Sequence, residues 1–177
     1  MRETCEEGKL RILHTSDLHG DFAQALEVSE DFDLWLDTGD FMPNHGRTPD
    51  TDFKINLDRE LFYQHAWLAR RKVGYRLREW LDERPVVTVA GNHDFVRLHQ
   101  LLESERVPSL FEVTPDGFEL YGMRWAGFRE IPYIRGEWVG EAQSLRAEID
   151  RTWLAQPHIL VTHTPAKGLL SGRYGST

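Results

Sequence analysis

Short apolar runs of strand length recur along the chain, and most of them end in polar residues followed by a turn. Five such runs predict β-strands, and the fourth is long enough to form one or two strands around Gly122. The runs lie at about 10–15, 33–38, 86–90, 118–128 and 158–162. Between the runs, apolar residues at helical spacing predict helices. One of these helices follows Asp21, and the others occupy about 51–84, 95–103 and 140–154.

The alternation of strands and helices predicts an α/β fold, in which helices connect neighbouring strands of one sheet. A length of 177 residues favours one hydrophobic core, so we interpret residues 1–177 as a single domain. The long helical stretch at about 51–84 is then an insertion into that domain. Gly74 is expected to weaken or bend it.

Composition and charge narrow the class of protein. Hydrophobic residues make up 40% of the chain and charged residues 28%, which is typical of a globular protein and excludes general disorder. The net charge of -8 argues against nucleic acid as a partner, because Lys and Arg bind the phosphate backbone. No apolar run could cross a bilayer and no secretory pattern is present, so we expect no membrane partner and a cytoplasmic location. Cys5 is the only cysteine, which excludes an internal disulfide framework.

Four of the predicted strands end in side chains that can bind a metal ion. These side chains are Asp17 and His19, then Asp40, then Asn92, His93 and Asp94, and finally His163. Each group alone has an ordinary explanation, such as a Gly-Asp turn or a helix cap. Together they are more informative, because the carboxyl ends of strands in an α/β sheet form one crevice. Oxygen and imidazole ligands suit Mn²⁺, Fe, Zn²⁺ or Mg²⁺, and a cation would offset repulsion among the carboxylates.

Four motifs carry a resemblance to a known family. They are SDLHGD at 16–21, GD at 39–40, GNHD at 91–94 and VTHTP at 161–165. In this order they resemble the calcineurin-like metallophosphoesterase family. The resemblance implies an α/β sandwich of two mixed β-sheets flanked by helices.

The resemblance also implies a dinuclear metal site. Asp17 and His19 would hold one divalent cation, and Asn92 and His163 would hold the other. Asp40 would bridge the two. Mn²⁺ is the first candidate for both positions, with Fe, Zn²⁺, Ni²⁺ and Mg²⁺ as the others. A hydroxide activated by the two cations would attack phosphorus, so the implied activity is hydrolysis of small phosphate mono- or diesters.

His93 would protonate the leaving oxygen as the general acid. In many relatives an acidic residue three positions after the bridging Asp orients this histidine, but here that position is Pro43. Asp94 is the candidate to take over the role, and we group it with His93 as catalytic. Arg97 is a candidate for binding the substrate phosphate.

One motif of the family, Gly-His-x-His, does not follow His163 in this sequence. Its two histidines would each complete one metal, and we expect a fold without the C-terminal strands. Three interpretations stay open: a truncated gene, a shortened natural protein that still binds metal, or ligands supplied from elsewhere in the fold or by a partner chain, as in a homo-oligomer. The candidates for replacement are His14, His45, His65, His99 and His158. Of these, we expect His14 to pack in the core.

Two further functions compete with hydrolysis of small phosphate esters. Loss of Gly-His-x-His favours a metal-binding or protein-interaction module with little or no turnover. Retention of His93, which metal binding does not require, favours catalysis. A nuclease is the third hypothesis, and the negative net charge argues against it.

Overall fold

The computed structural model describes residues 9–21, 32–44, 57–69, 84–96, 109–129 and 142–164. These residues form seven strands and two helices. In chain order the elements are β1 (Ile12–Thr15), β2 (Leu34–Asp37), α1 (Leu57–Ala69), β3 (Val86–Thr88), β4 (Leu110–Glu112), β5 (Phe118–Leu120), β6 (Met123–Phe128), α2 (Ala142–Leu154) and β7 (Ile159–Thr162).

The larger sheet contains four strands in the order β1-β2-β3-β4, and all of them run parallel. Trp35 of β2 lies between Leu13 of β1 and Val86 of β3. All three residues of β3 are buried, as are Leu34 and Trp35 of β2. Central parallel strands are covered on both faces, which explains why these two strands consist of continuous apolar runs.

The smaller sheet has the order β5-β6-β7 and is mixed. β5 and β6 form an antiparallel hairpin whose loop is Tyr121-Gly122, with both residues at positive φ. Two-residue loops with both φ values positive match the twist of a hairpin, and glycine adopts them without strain. The run at 118–128 therefore forms two strands around Gly122. β7 then pairs with β6 in parallel.

The hydrophobic core lies between the two sheets. Its buried residues are Leu34, Val87, Val89, Val113, Trp125 and Val161. β2 and β3 contribute to this cluster from the larger sheet, and β6 and β7 contribute from the smaller one. Trp125 is fully buried and donates from Nε1 to the Leu120 carbonyl at 3.2 Å, so its polar edge is satisfied inside the core. The predicted α/β sandwich is confirmed, with one parallel and one mixed sheet in the described residues.

The fold differs from the sequence predictions at three points. β4 was not predicted, since Leu110–Glu112 has only two adjacent apolar residues before Glu112. β3 ends at Thr88, two residues before the predicted end. His14 is exposed and does not pack in the core. Successive side chains of β1 point to opposite faces of the sheet, and Leu13 and Thr15 lie on the more buried face.

Other predictions are covered only in part by the described residues. α1 lies within the predicted helical insertion at about 51–84, but residues 51–56 and 70–83 are outside the described ranges. The helix predicted after Asp21, most of the one at 95–103, and the region in which C-terminal strands were expected to be missing lie outside them too. Within the described ranges, no helix has the length and apolar character needed to cross a bilayer.

Candidate metal centre

The turns after β1 and β2 are joined to each other by backbone hydrogen bonds. Asp17 N–H donates to the Gly39 carbonyl, and His19 N–H donates to the Asp40 carbonyl, both at 2.9 Å. Asp17, His19 and Asp40 all have positive φ, between 47° and 57°. This left-handed region costs a non-glycine residue about 1 kcal/mol, so the two turns that carry the predicted ligands store backbone strain.

Gly39 allows the loops that follow β3 and β7 to approach these two turns. A Cβ atom at this position would lie 2.6 Å from Nδ1 of His163 and 2.8 Å from the backbone nitrogen of Gly91. Gly39 also has a φ of 104°, which L side chains rarely adopt. The Gly-Asp pair that reads as an ordinary turn in the sequence is therefore the point at which the ends of β2, β3 and β7 converge.

Four predicted ligands meet at this point. One donor atom each from Asp17, Asp40 and His163 lie within 4.8 Å of one another. Nε2 of His163 lies 3.6 Å from Oδ2 of Asp40 and 3.2 Å from Oδ1 of Asn92. Carboxylate, amide oxygen and imidazole are a donor set that suits Mn²⁺, Fe, Zn²⁺ or Mg²⁺. The residues present thus fit a divalent cation.

The side chains of His163 and Asp40 each use one polar atom in a hydrogen bond to the backbone. The second polar atom of each side chain is directed into the cluster. Nδ1 of His163 lies 2.8 Å from the Thr38 carbonyl, so this nitrogen carries the proton and Nε2 keeps its lone pair. Oδ1 of Asp40 accepts from the His93 N–H at 2.8 Å, and Oδ2 faces His163. Nε2 of His19 lies 3.9 Å from the same Oδ2. Asp40 therefore lies between His19 and His163, the two histidines that the sequence assigns to different cations.

The carboxylate of Asp94 connects the turns that follow β2 and β3. Its Oδ2 accepts from the N–H groups of Asp40 and Gly91, and its Oδ1 accepts from the N–H of Met42, all at 2.8 Å. Burial raises the pKa of this carboxyl to about 6, although the amide bonds act in the opposite direction. These bonds direct both carboxylate oxygens to the backbone of Asp94's own turn and of the neighbouring turn. The role of orienting the His93 ring stays a prediction.

Comparison with known proteins agrees with this geometry. The sequence profile of the calcineurin-like phosphoesterase family matches residues 10–176. The chain belongs to the calcineurin-like phosphoesterase family. A search of the curated proteins gives no match. Membership makes phosphate-ester hydrolysis and divalent metal binding the chemistry to test, and the cluster described above is the candidate site for it.

Asn44 was not singled out by the sequence, yet it lies between two histidines of the candidate site. Its Oδ1 is 3.1 Å from Nδ1 of His93, and its Nδ2 is 3.0 Å from Nδ1 of His19. The two rings are 5.3 Å apart and nearly perpendicular. The position that contacts His93 is thus one residue after Pro43. In the sequence, the only signal for this contact was an Asn in the loop that follows a predicted strand.

Gln64 is a second residue that sequence reasoning missed. It is fully buried on α1 and donates from Nε2 to the carbonyls of His93, at 2.7 Å, and Pro43, at 3.3 Å. Its Oε1 accepts from the N–H groups of Phe95 and Val96. A single polar residue inside an amphipathic helix carries no signal of this contact, which depends on where α1 packs.

The remaining candidates lie elsewhere or outside the described residues. His14 contacts Oγ1 of Thr38 at 3.1 Å, His65 is exposed on α1, and His158 accepts from the Arg124 N–H at 2.9 Å. Among the described residues, the donor group contains none of these three. Arg97, His45 and His99 lie outside the described ranges.

Proposed function

We propose that this chain hydrolyses small phosphate mono- or diesters in a reaction that requires divalent cations. The observation that supports this most directly is the convergence of Asp17, Asp40 and His163 within 4.8 Å, with His93 bonded to Asp40. A buried carboxylate against an exposed one and an imidazole is costly without a cation and favourable with one. The family to which the chain belongs supplies the reaction class.

Five side chains would hold two cations in this proposal. They are Asp17, His19, Asp40, Asn92 and His163. Bound divalent cations would lower the pKa of water and stabilise charge on the phosphoryl oxygens. Mn²⁺ is the first candidate, and Fe, Zn²⁺, Ni²⁺ and Mg²⁺ suit the same oxygen and nitrogen donors.

His93 would act on the leaving oxygen from Nε2. Its backbone N–H is bonded to Asp40 and its carbonyl to Gln64, so the turn that carries the ring is fixed on both sides. Nδ1 faces Asn44, and the proposal assigns the contact with the substrate to Nε2. A positioned histidine acid contributes about 100-fold or more to such reactions. Asp94 would act by holding the two turns rather than on substrate.

The test is metal-dependent hydrolysis by the whole chain. Metal-stripped protein is assayed on 4-nitrophenyl phosphate and bis(4-nitrophenyl) phosphate with Mn²⁺, Zn²⁺, Ni²⁺ and Mg²⁺ in turn. We expect activity with Mn²⁺, at least a 100-fold loss in Asp40→Asn and His93→Ala, and no change in the matched controls Asp150→Asn and His65→Ala.

Two other results would overturn the proposal. Tight metal binding without turnover on either ester would identify a non-catalytic metal-binding module. Cleavage of single- or double-stranded DNA or RNA, with no hydrolysis of either nitrophenyl ester, would identify a nuclease. Equal activity in Asp40→Asn and the unaltered chain would exclude this cluster as the site.

A further inference from the structure

The Asn44 side chain bridges two imidazoles that the proposed function treats separately. It touches Nδ1 of His93 through one atom of its carboxamide and Nδ1 of His19 through the other. His19 is a proposed metal ligand and His93 the proposed acid. Nε2 of His19 faces Oδ2 of Asp40, so the nitrogen that contacts Asn44 is the one turned away from the cluster.

A carboxamide has one acceptor atom and one donor atom. The imidazole that meets the oxygen must carry a proton on Nδ1, and the imidazole that meets the nitrogen must carry a lone pair there. The structure directs Oδ1 to His93 and Nδ2 to His19. Rotating the amide by half a turn exchanges the two atoms without moving either ring. In both orientations the two Nδ1 atoms are in opposite protonation states.

We propose that Asn44 is a positioning residue that couples the proton position on His93 to that on His19. The inference rests on the proposed function, because it takes Nε2 of His19 as a metal ligand. If Nε2 held a cation, the ring would carry its proton on Nδ1 instead, and that N–H would donate to the Asn44 oxygen after the amide has rotated. The amide nitrogen is turned to His93, which accepts at Nδ1 and carries its proton on Nε2.

This coupling determines what His93 offers to a substrate. A neutral ring with a proton on Nε2 donates a hydrogen bond to the leaving oxygen, as neutral histidines do in other sites. Complete transfer of that proton would leave an imidazolate, which is unfavourable. The loaded protein should therefore favour phosphate esters with acidic leaving groups, such as aryl esters, over alkyl esters.

The direct test is nitrogen NMR of the histidine rings in protein labelled with ¹⁵N-histidine. Spectra are recorded with and without diamagnetic Zn²⁺, at a pH at which both rings are neutral. On addition of Zn²⁺ we expect the proton of His93 to move from Nδ1 to Nε2, while His19 becomes protonated at Nδ1. The same tautomer on both rings of the unaltered protein would overturn the proposal.

Asn44→Asp removes the coupling while preserving the shape of the side chain. A carboxylate has two acceptor oxygens, so both Nδ1 atoms can donate to it at once. In this variant we expect both rings to carry a proton on Nδ1 with Zn²⁺ bound. An exposed change of the same charge, Gln143→Glu, should leave the tautomers of the unaltered protein in place. A tautomer pattern in Asn44→Asp identical to that of the unaltered protein would contradict the proposal.

A leaving-group series provides the kinetic counterpart. In Asn44→Asp, the imidazolium form of His93 carries a proton on both nitrogens, so it can transfer the Nε2 proton to the leaving oxygen and remain a neutral ring with Nδ1–H bonded to the carboxylate. The ratio of kcat on phenyl phosphate to kcat on 4-nitrophenyl phosphate should therefore rise by about tenfold or more relative to the unaltered protein. An unchanged ratio in an active variant would overturn the inference. Opposite tautomers in a protein that hydrolyses no ester would instead overturn the proposed function and leave the coupling intact.

Discussion

At the scale of single residues, two buried carboxyl groups support the turns of the site. Asp37 is fully buried and accepts from Oγ1 of Thr15 at 3.0 Å, from the N–H of Gly39 and from Oγ1 of Thr88. Burial is the largest cause that raises the pKa of this carboxyl well above its ordinary value, and the nearby Asp94 adds to the effect. A carboxyl at the end of β2 therefore costs stability when it is ionised.

The raised pKa of Asp37 predicts a pH dependence of the stability of metal-free protein. Its folded-state pKa lies above its unfolded value of 3.8, so its contribution is fully present below 3.8 and is lost as the pH rises through the folded-state pKa. We expect the free energy of unfolding of the unaltered protein, minus that of Asp37→Asn, to fall as the pH is raised from 4 to 7.

Urea unfolding in the presence of a chelator measures this difference. Asp150→Asn, on the exposed face of α2, is the control and should show no such trend. A difference between the unaltered protein and Asp37→Asn that is constant across the pH range would contradict the prediction.

At the scale of elements, two glycines with positive φ have different surroundings: Gly39 follows β2 at the candidate site, and Gly122 lies in the loop between β5 and β6. Gly122 at φ 70° has open space where a Cβ would lie, whereas Gly39 at φ 104° is surrounded by His163 and Gly91. Both positions therefore impose backbone strain on a side chain, but only Gly39 adds a collision. The pair separates the conformational cost of a left-handed residue from the cost of closing the site.

Gly122→Ala should lower the free energy of unfolding by about 1 kcal/mol and leave activity unchanged. Gly39→Ala should lose both metal binding and activity, because the new methyl group would displace the ring of His163. Calorimetric titration with the metal ion measures the metal affinity of both variants, and the ester assay measures their activity. Normal metal affinity in Gly39→Ala would show that the loops tolerate separation.

α1 supports the site at the same scale through Gln64, which makes four hydrogen bonds to the segments that follow β2 and β3. Gln64→Leu retains the approximate size but leaves the His93 carbonyl and the N–H groups of Phe95 and Val96 without this partner. Unpaired buried groups cost about 1–3 kcal/mol each. We expect a loss of at least about 2 kcal/mol in the free energy of unfolding together with lower kcat, and no change in Gln143→Leu. Equal stability of the two variants would contradict this role.

At the scale of the whole molecule, the two sheets contribute different parts of the metal centre. Asp17, Asp40 and Asn92 follow strands of the larger sheet, and His163 follows β7 of the smaller one. The hydrophobic core between the sheets therefore determines whether His163 reaches Asp40. A cation bound by residues from both sheets would connect them, which links metal binding to folding.

Metal should accordingly stabilise the folded protein. A ligand present at 100 times its Kd adds about 2.7 kcal/mol to the free energy of unfolding. We expect a higher Tm with Mn²⁺ in scanning calorimetry, a much smaller increase in His163→Ala, and the full increase in His158→Ala. An identical increase in both variants would show that the smaller sheet contributes nothing to the metal site.

The family membership and most of the fold follow from local features of the sequence. Apolar runs indicated the strands of both sheets except β4, in which only two adjacent apolar residues precede Glu112. The polar ends of β1, β2, β3 and β7 indicated a metal centre. Whether every residue of the predicted site acts as assigned stays a prediction, and Arg97 lies outside the described residues.

The sequence by itself determined the elements and the ligand types, because periodicity and turn chemistry are properties of neighbouring residues. Tertiary structure decided which atoms meet. Asn44, Gln64 and His93 are distant or unrelated in the sequence, and only the packing of α1 and the convergence of the turns bring them together. The same packing brings the carboxylate of Asp94 to the backbone of the turns, where the N–H groups of Asp40, Met42 and Gly91 require an acceptor once they are buried.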